Sequence, residues 1–306
     1  MAYLRQLKAL QKATGKTQTE LAHLLGVSFP TLNSWVNKKS EPREKAREKI
    51  DLLYQKHFGV AEIDTSEVHK KWDRVKDLQK KFPNPLELIT SRKDLYDSFV
   101  LELTYHTNSI EGSTLNEPEV KAVIFDNAVI PDKTAVEHQE AKNHQAALGY
   151  LFQELEKGKR NVTEDDIKKL HSIIMNGIWP NAGQYRNHAV RIAGSNVVTA
   201  NPVKVPSLMI SLIKNLNKKP KYTLAHLAKT HAQFEQIHPF SDGNGRVGRL
   251  LLAFLALRDN LPPVLIKRDK KQAYYAYLER AQTRNLYAFL ESFVSDGILE
   301  SYKLLE

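Results

Sequence analysis

Hydrophobic residues recur every three or four positions along almost the whole chain, as in the group Leu21, Leu24 and Leu25. This spacing places apolar side chains on one face of an α-helix, so the pattern predicts a mainly α-helical protein. One segment, residues 190–203, departs from the pattern because its apolar residues flank a Gly-Ser-Asn sequence, which is typical of a short β-hairpin. The apolar positions of this predicted hairpin are Val190, Ile192, Val197, Val198 and Val203.

Residues 17–38 contain the end signals of two short helices. Thr17, followed three residues later by Glu20, forms a capping-box pattern that predicts the start of the first helix. Gly26 predicts the left-handed turn that ends it, and Ser28 predicts the start of the second helix. The arrangement resembles the helix-turn-helix of phage-repressor-type DNA-binding domains.

This resemblance implies that the second helix enters the major groove of duplex DNA. The residues that it would bring close to DNA are Ser28, Thr31, Asn33 and Ser34, with Lys38 and Lys39 near phosphates. Residues 1–60 hold 11 basic and 5 acidic residues, so a net charge of +6 supports phosphate contact there. Phe29 and Pro30, however, cannot form the hydrogen bonds that read base edges. A helical module for protein contact or dimerisation is therefore the alternative, and a helix-turn-helix that reads a two-fold DNA site would be a homodimer.

The whole chain of 306 residues carries a net charge of +10, which favours nucleic acid or nucleotide phosphates as partners. Cysteine is absent, so disulfides, thiolate metal sites and thiol nucleophiles are excluded, and we expect a reducing, cytoplasmic location. The longest uninterrupted apolar run spans residues 250–257, which is much shorter than the roughly 20 residues needed to cross a membrane. We therefore expect no membrane partner.

Residues 238–249, with the sequence HPFSDGNGRVGR, lie between two strongly apolar segments that predict buried helices. His238 can accept a proton near neutral pH. Asp242 provides a hard carboxylate oxygen, the ligand type that Mg²⁺ prefers beside phosphates. These two residue types in one short loop are typical of phosphoryl or nucleotidyl transfer.

The same loop contains an anion-binding sequence at the predicted start of the following helix. Gly243 and Gly245 flank Asn244, so backbone N–H groups can converge on an anion where the helix dipole favours negative charge. Arg246 and Arg249 add guanidinium groups suited to phosphate oxygens. The sequence therefore predicts a nucleotide-binding site without the lysine loop of Walker-type proteins.

Two simpler interpretations and one different site stay open from these residues alone. The Gly-Asn-Gly sequence could be only a tight turn, and His238 could be a hydrogen-bonded core histidine. His231, Glu235 and His238 have the spacing of a metal-binding helix face in a hydrolase. That alternative leaves Asn244 and both arginines unexplained, and the residue before Pro239 disfavours a continuous helix.

The motif matches HPFx(D/E)GNGRxxR, the defining sequence of the Fic family, and the resemblance extends over roughly residues 85–300. Members of this family transfer AMP from ATP to a hydroxyl side chain of a target protein. The resemblance implies that His238 deprotonates that hydroxyl and that Asp242 holds Mg²⁺, or Mn²⁺, on the α- and β-phosphates. It further implies that residues 243–245 form the anion hole and that Arg249 holds the γ-phosphate.

The resemblance also implies roles outside the motif. Residues 183–186, Gly-Gln-Tyr-Arg, and the predicted hairpin after them look like the flap of the family. A flap there would dock the target protein along residues 190–203 by strand addition. Tyr274, Tyr275 and Gln282 fall where relatives enclose the adenine, although two tyrosines on a helix are commonly part of a core or an interface.

Residues 107–112, TNSIEG, match the inhibitory pattern (S/T)xxxE(G/N) of the same family. The resemblance implies that Glu111, on a helix near residues 100–112, pairs with Arg249 and so occupies the group that would hold the γ-phosphate. It places the chain in the self-inhibited class whose inhibitory helix precedes the motif. In some relatives this glutamate positions the water that removes AMP, so a reverse reaction is an alternative. From the residues alone, the segment is also typical of a helix end closed by Gly112.

We therefore expect a mainly α-helical protein with a Fic-type helical core and a small β-hairpin flap, preceded by a small helix-turn-helix domain. The expected boundaries are residues 1–60 for the helix-turn-helix domain, 61–84 for a helical connector and 85–306 for the Fic domain. The expected activity is transfer of AMP from ATP to a target protein or to the enzyme itself, inhibited by Glu111. A hydrolase that removes AMP, and a DNA-binding regulator that uses the Fic domain as a nucleotide sensor, are the alternatives.

Overall fold

The computed structural model describes residues 2–58, 65–192, 197–218 and 223–306. The chain divides into two compact units, Met1–Glu67 and Val68–Glu306. Both units are built from helices, and no β-strand occurs in the described ranges. The predicted α-helical character is therefore confirmed.

The smaller unit is a bundle of short helices around one apolar core. Its helices are α1 (Ala2–Thr14), α2 (Gln18–Leu25), α3 (Phe29–Val36) and α4 (Glu44–Phe58). Leu7, Leu21 and Leu32, from the first three helices, are fully buried together with Ile50 of the fourth. The apolar spacing in the sequence thus corresponds to the faces that the four helices turn toward each other.

The ends of α2 and α3 are fixed by the residues that the sequence predicts. The Thr17 N–H donates to the Glu20 carboxylate at 2.8 Å, and the Glu20 N–H donates to the Thr17 hydroxyl at 3.3 Å, which completes a capping box. Gly26 ends α2 with a φ of 67°. The Ser28 hydroxyl accepts from the Thr31 N–H at 3.3 Å and caps α3. These predicted helix ends are confirmed.

The larger unit is entered through α5 (Thr65–Lys81) and contains ten further α-helices in the described ranges. They are α6 (Pro85–Ser91), α7 (Lys93–Glu111), α8 (Glu117–Phe125), α9 (Ala135–Glu156), α10 (Glu164–Ile174), α11 (Val205–Leu216), α12 (Thr223–Ile237), α13 (Asn244–Arg258), α14 (Lys271–Arg284) and α15 (Ala288–Leu305). The division of the chain assigns α5 to this unit from Val68 onward. Lys71 of α5 pairs with Asp296 of α15 at 2.6 Å, so much of the 61–84 stretch packs as part of the larger unit.

The centre of the larger unit is α13, which packs against α7, α9, α10 and α12. Its residues 250–257 are all buried, as expected for a helix that is apolar on every side. The loop of residues 238–243 joins α12 to α13, so the chemical motif begins in a loop and continues into the most buried helix. No described helix is long and apolar enough to cross a lipid bilayer.

The predicted β-hairpin at residues 190–203 is wrong for the part of the segment that the structure describes. The predicted tip, residues 193–196, lies outside the described residues. Val190, Ile192, Val197 and Val198 belong to no strand, and Val203 lies in a short 3₁₀ helix, Pro202–Lys204.

Side chains satisfy the backbone of this segment in place of a strand ladder. The Thr199 hydroxyl donates to the Val190 carbonyl at 2.6 Å, and the Arg186 guanidinium donates to the carbonyls of His188 and Ala200. Val197 is buried, but Val198 and Val203 are 84% and 85% exposed, so the apolar residues of this segment do not form one buried face. The apolar residues around Gly-Ser-Asn suggested strands, but most of them lack the core contact that stabilises a sheet.

Candidate active site

The motif loop is closed by the first residue of α13. The Asn244 side chain accepts from the Phe240 N–H and donates to the Phe240 carbonyl, both at 2.8 Å. Phe240 is fully buried and anchors the loop to the core. The loop begins and ends with left-handed residues, since φ is 52° at His238 and 75° at Gly243. The Asn244 side chain is therefore used for the loop itself, which leaves only its backbone N–H for an anion.

His238 is held as a neutral base. Its Nδ1 lies 3.2 Å from the Glu235 carbonyl oxygen, which accepts a hydrogen bond from the Nδ1–H tautomer. That tautomer leaves the lone pair of Nε2 free to take a proton. Burial lowers the pKa of His238 below its ordinary value, so the ring is unprotonated at pH 7.

The N-terminus of α13 presents backbone N–H groups without a side-chain cap among the described residues. Asn244, Gly245 and Arg246 form its first turn, where the helix dipole is positive. Asp242, immediately before this turn, has 59% of its side chain exposed, and its Oδ1 accepts from the Gly243 N–H at 2.6 Å. An exposed carboxylate thus stands beside a row of free amide donors.

Arg246 has a partner that the sequence analysis missed. Its Nη1 donates to the Glu140 carboxylate of α9 at 2.8 Å, and its Nη2 lies 3.5 Å from Met175 Sδ. Only 3% of the Arg246 side chain is exposed. The Asp242 carboxylate is more distant from this arginine, with Oδ2 3.9 Å from Arg246 Nη2. The arginine therefore joins α13 to α9 beneath the loop, and no sequence pattern signals a partner so far away along the chain.

Arg249 and Glu111 form the ion pair that the resemblance implies. Arg249 Nη2 lies 2.5 Å from Glu111 Oε1, and its Nε donates to the Thr107 hydroxyl at 2.5 Å. Glu111 is the last residue of α7, which ends at Gly112 with a φ of 116°. Only 7% of the Arg249 side chain is exposed, against 30% for Glu111.

Both members of this pair are ionised. Burial raises the pKa of Glu111, but the charge and hydrogen bond of Arg249 lower it by a larger amount, so the pKa lies below its ordinary value. Burial lowers the pKa of Arg249, and the Glu111 carboxylate more than compensates for this effect. Gly245 makes the contact possible, because a Cβ there would collide with Glu111 Oε1 and lie 3.0 Å from Arg249 Nη1.

The metal-binding face considered for His231, Glu235 and His238 is not assembled. His231 Nε2 lies 2.7 Å from the Tyr274 hydroxyl, and burial lowers the pKa of His231 to about 3. Burial raises the pKa of Glu235 to about 8, so its carboxyl is largely protonated at pH 7. No group of three or more histidine, aspartate or glutamate side chains that could hold a metal occurs among the described residues.

Tyr274, Tyr275 and Gln282 on α14 differ in their accessibility. Tyr274 is 1% exposed and its hydroxyl is engaged by His231, so it belongs to the core and the predicted contact with a base is corrected for this residue. Tyr275 is 38% exposed. Gln282 Nε2 donates to the Ala232 carbonyl at 3.0 Å, which ties α14 to α12.

A cavity of about 320 Å³ lies near Gln282. Val198, Gln236 and Ile237 contribute to its walls. Gln236 Nε2 also lies 3.5 Å from the Gln282 backbone carbonyl, which places the cavity beside the end of α14.

Two buried side chains connect the motif loop to residues 183–188. Arg186, 4% exposed, donates from Nε to the His238 carbonyl at 2.7 Å, and its own N–H donates to the Pro239 carbonyl. His171 of α10 accepts from the Gly183 N–H at 2.7 Å, and its other ring nitrogen lies 3.0 Å from the Asp242 carbonyl. Sequence analysis assigned Arg186 to the flap and missed His171, because a lone histidine on an amphipathic helix carries no specific signal.

The polar residues predicted to contact DNA are hydrogen-bonded within the smaller unit. The hydroxyls of Ser28 and Thr31 lie 2.8 Å apart, and so do those of Ser34 and Ser40. Asn33 accepts from Asn37 Nδ2 at 2.7 Å. Lys38 and Lys39, by contrast, are exposed after the end of α3.

Comparison with known families agrees with both sets of residues. Residues 161–256 match the Fic/DOC family, and residues 7–58 match the helix-turn-helix family. The chain contains a Fic/DOC domain. It also contains a helix-turn-helix domain, so the resemblances drawn from the two motifs are confirmed.

Curated relatives of this chain include two that are named protein adenylyltransferases. "Protein adenylyltransferase Fic" of Nematostella vectensis is 29% identical over 235 residues, which cover 76% of this chain and 54% of the relative. "Protein adenylyltransferase fic-1" of Caenorhabditis elegans is 30% identical over 221 residues, which cover 71% of this chain and 43% of the relative. The chain thus spans about half the length of the curated relatives it matches.

Solved structures support the fold of the chain. A Fic domain containing signaling protein from Bacteroides thetaiotaomicron aligns with a TM-score of 0.64 and 25% identity over 78% of this chain and 95% of that chain. Fic-1 from C. elegans aligns with a TM-score of 0.69 over 99% of this chain and 97% of that chain. Since its identity is only 22%, the second comparison concerns the fold alone.

Proposed function

We propose that this protein is an adenylyltransferase that moves AMP from ATP to a hydroxyl side chain of a target protein or of itself, and that Glu111 inhibits it. The observation that carries the proposal is the Arg249–Glu111 pair at 2.5 Å beside the uncapped start of α13. The Arg249 guanidinium, at the proposed phosphate site, is thus paired with the Glu111 carboxylate of the same chain. The names of the curated relatives support the same reaction.

In the proposed reaction, the target hydroxyl oxygen attacks the α-phosphorus of ATP. His238 Nε2 takes the hydroxyl proton, a bond forms between the hydroxyl oxygen and phosphorus, and the bond to the diphosphate breaks, so that diphosphate leaves. Of the predicted anion hole, residues 243–245, the N–H of Gly243 is bonded to Asp242 Oδ1, so the N–H groups of Asn244 and Gly245, with that of Arg246, would stabilise the charge on the phosphate oxygens. Arg249 would hold the γ-phosphate once Glu111 has moved away.

Asp242 is the residue that would hold Mg²⁺, or Mn²⁺, in this site. Its exposed carboxylate fits such a role, because Mg²⁺ typically keeps several waters and needs only one or two protein carboxylates beside substrate phosphates. The ion would neutralise the phosphate charges and orient the diphosphate as leaving group. Arg246, paired with Glu140, would keep the Asp242 loop and the helix start in place from below.

The base and the target protein would bind at adjoining surfaces, because Val198 of the 190–203 segment also lines the cavity assigned to the nucleoside. We assign the nucleoside to Tyr275, Gln282 and the cavity bounded by Gln236, because Gln236 contacts the Gln282 carbonyl near the end of α14 and Tyr275 is an exposed tyrosine of the same helix. The target protein would lie along residues 190–203, whose backbone is fixed to His238 through Arg186. We also propose a cytoplasmic location, where ATP is abundant and a cysteine-free chain needs no disulfides.

Intact-mass spectrometry of the Glu111→Gly variant tests the reaction class. After incubation with ATP and Mg²⁺, we expect an AMP adduct on the protein itself or on a lysate protein. The Glu111→Gly/His238→Ala double variant is the matched control and should carry no adduct. A hydrolase that removes AMP predicts the opposite behaviour, since Glu111→Gly would then abolish turnover of AMP-modified protein. Absence of any adduct from the single variant would refute the transfer reaction and favour the nucleotide sensor.

For the N-terminal unit we propose binding of duplex DNA, on the basis of its helix-turn-helix match and its +6 charge. Binding a two-fold site would make the protein a homodimer. Fluorescence anisotropy with a labelled duplex should give an affinity that falls steeply with salt. Replacing Lys38 and Lys39 by Glu should weaken it by at least about tenfold. The same charge change at Lys121 and Lys229, in the larger unit, is the control, and equal losses in both proteins would contradict the proposal.

A further inference from the structure

His171 connects two separate parts of the site through one imidazole ring. Its Nδ1 accepts from the N–H of Gly183, at the start of the flap residues 183–186, at 2.7 Å. A ring nitrogen that accepts is unprotonated, so in the neutral tautomer Nε2 carries the proton and donates to the Asp242 carbonyl at 3.0 Å. The same ring therefore contacts the flap with one nitrogen and the motif loop with the other.

The ring is also held by packing against Phe240. It stacks on Phe240 with ring centroids 3.7 Å apart and an interplanar angle of 4°. The ring of Tyr185, in the flap residues, packs against Phe240 at a tilt, with ring centroids 5.5 Å apart. Only 1% of His171 is exposed, so its position is set by the protein rather than by solvent.

Two glycines allow the flap and the loop to approach α10 closely enough for these contacts. Gly183 has a φ of 86°, and a Cβ there would lie 3.2 Å from the Lys168 carbonyl and 3.3 Å from Ser172 Cβ. Gly243 has a φ of 75°, and a Cβ there would lie 2.8 Å from Met175 Sδ. The absence of a Cβ atom at Gly183 and at Gly243 is therefore required for the close approach of both segments to α10.

We infer that His171 is a positioning residue that sets the place of Asp242 and the place of the flap with separate hydrogen bonds. The inference rests on the proposed function and extends it, since it assigns the metal-binding side and the target-binding side of the reaction to different nitrogens of one ring. Loss of the Nε2 bond frees the backbone of Asp242 and weakens binding of Mg²⁺ with ATP. Loss of the Nδ1 bond frees Gly183 and disturbs the surface that holds the acceptor hydroxyl near His238.

Two substitutions separate these bonds, because Asn reaches the position of Nδ1 and Gln reaches that of Nε2. In the Glu111→Gly background, His171→Asn keeps an acceptor for Gly183 and loses the donor to Asp242. We expect its Mg²⁺ concentration for half-maximal ATP binding, measured by calorimetry, to rise about fivefold, as for one lost hydrogen bond. Its automodification rate at saturating Mg²⁺ and ATP should stay close to that of the parent.

His171→Gln should show the reverse pattern. It keeps a donor for Asp242, so the Mg²⁺ requirement for ATP binding stays near that of the parent, while automodification at saturating Mg²⁺ and ATP slows about fivefold. Amide hydrogen exchange at Gly183 should speed up in this variant and not in His171→Asn. Phe240→Leu is the packing control, because it removes the ring stack and keeps both hydrogen bonds. It should lower the melting temperature without separating the two readouts.

The inference is overturned if both His171 variants shift both readouts together, as a purely structural residue would, or if neither variant shifts either readout. The failure of the proposed function would be distinct from this result. In that case the Glu111→Gly parent would form no AMP adduct, whereas ATP binding and exchange at Gly183 would still show whether the two bonds act separately.

Discussion

The helix ends of the N-terminal unit and the side chains of the Fic site are held in place over very different distances along the chain. Thr17 is bonded to Glu20, three residues away. In the Fic site, Arg246 is bonded to Glu140, 106 residues away, and Arg249 to Glu111, 138 residues away. Local contacts determine where the small helices begin, whereas the chemistry of the larger unit depends on helices that only the complete fold brings together.

Substitutions in the two regions should therefore have different effects. A local cap stabilises one helix of one unit, so its loss should affect stability and leave catalysis alone. A distant partner pairs with an arginine of the proposed nucleotide site, so its loss should change the free energy of unfolding or the proposed reaction rate much more.

The largest effect is expected at the proposed base. His238→Ala in the Glu111→Gly background should reduce transfer of label from ATP to protein by at least about a hundredfold, because general-base catalysis typically contributes that much or more. His23→Ala, an exposed histidine of the smaller unit, is the matched control and should keep the parent rate. Equal rates for the two histidine variants would show that the site in the larger unit does not carry the reaction.

Glu140→Gln should strongly destabilise the larger unit. It leaves the Arg246 charge, 3% exposed, without its ionic partner, and removing one member of a buried pair typically costs about 3 kcal/mol. Chemical denaturation measures the free energy of unfolding. Glu156→Gln on the exposed surface of the same helix is the control, expected to change that free energy by less than about 0.5 kcal/mol. A loss no larger than that of the control would contradict the role given to Glu140.

Thr17→Ala should cost about 1 kcal/mol of stability in the smaller unit, the usual value of an N-cap. Thr19→Ala, on the exposed face of α2, is the same change without a capping bond. Thermal unfolding followed by circular dichroism should separate the two variants. Adenylyl transfer by both, measured in the Glu111→Gly background, should equal that of the parent. A changed transfer rate in the cap variant would remove the distinction between the two regions.

The smallest effect is expected from pH above neutrality. Burial lowers the pKa of His238 below its ordinary value, so the unprotonated base is already the main form at pH 7. The rate of AMP transfer should rise as the pH increases through the lowered pKa of His238 and then remain level. Between pH 7 and 8.5 the transfer rate of the Glu111→Gly variant should change by less than about twofold. A continued increase across this range would mean that a group with a higher pKa limits the reaction.

The same distinction explains what could be read from the sequence. The ends of α2 and α3 were predictable because each depends on residues within one turn. The loop between α12 and α13 and the buried Phe240 followed from a motif of adjacent residues. The Arg249–Glu111 pair was expected only because a second family pattern marked Glu111.

Other features could not be predicted because no local signal marks them. Glu140 and His171 lie on ordinary amphipathic helices, and only packing shows which buried group each one meets. Tyr274 and Tyr275 are adjacent in sequence, yet one faces the core and the other the surface. The apolar residues of 190–203 suggested a hairpin, but Arg186 and Thr199 bond to backbone carbonyls that a ladder would need.

The most direct test of the account compares initial rates of AMP transfer for the wild-type protein and the Glu111→Gly variant at equal concentrations of ATP and Mg²⁺. The pair of Glu111 and Arg249 combines a charge with a hydrogen bond, and such an interaction is typically worth about a tenfold to hundredfold change in rate. We predict that the variant is faster by at least about tenfold. A variant no faster than the wild type, or slower, would contradict the claim that Glu111 inhibits the enzyme by holding Arg249.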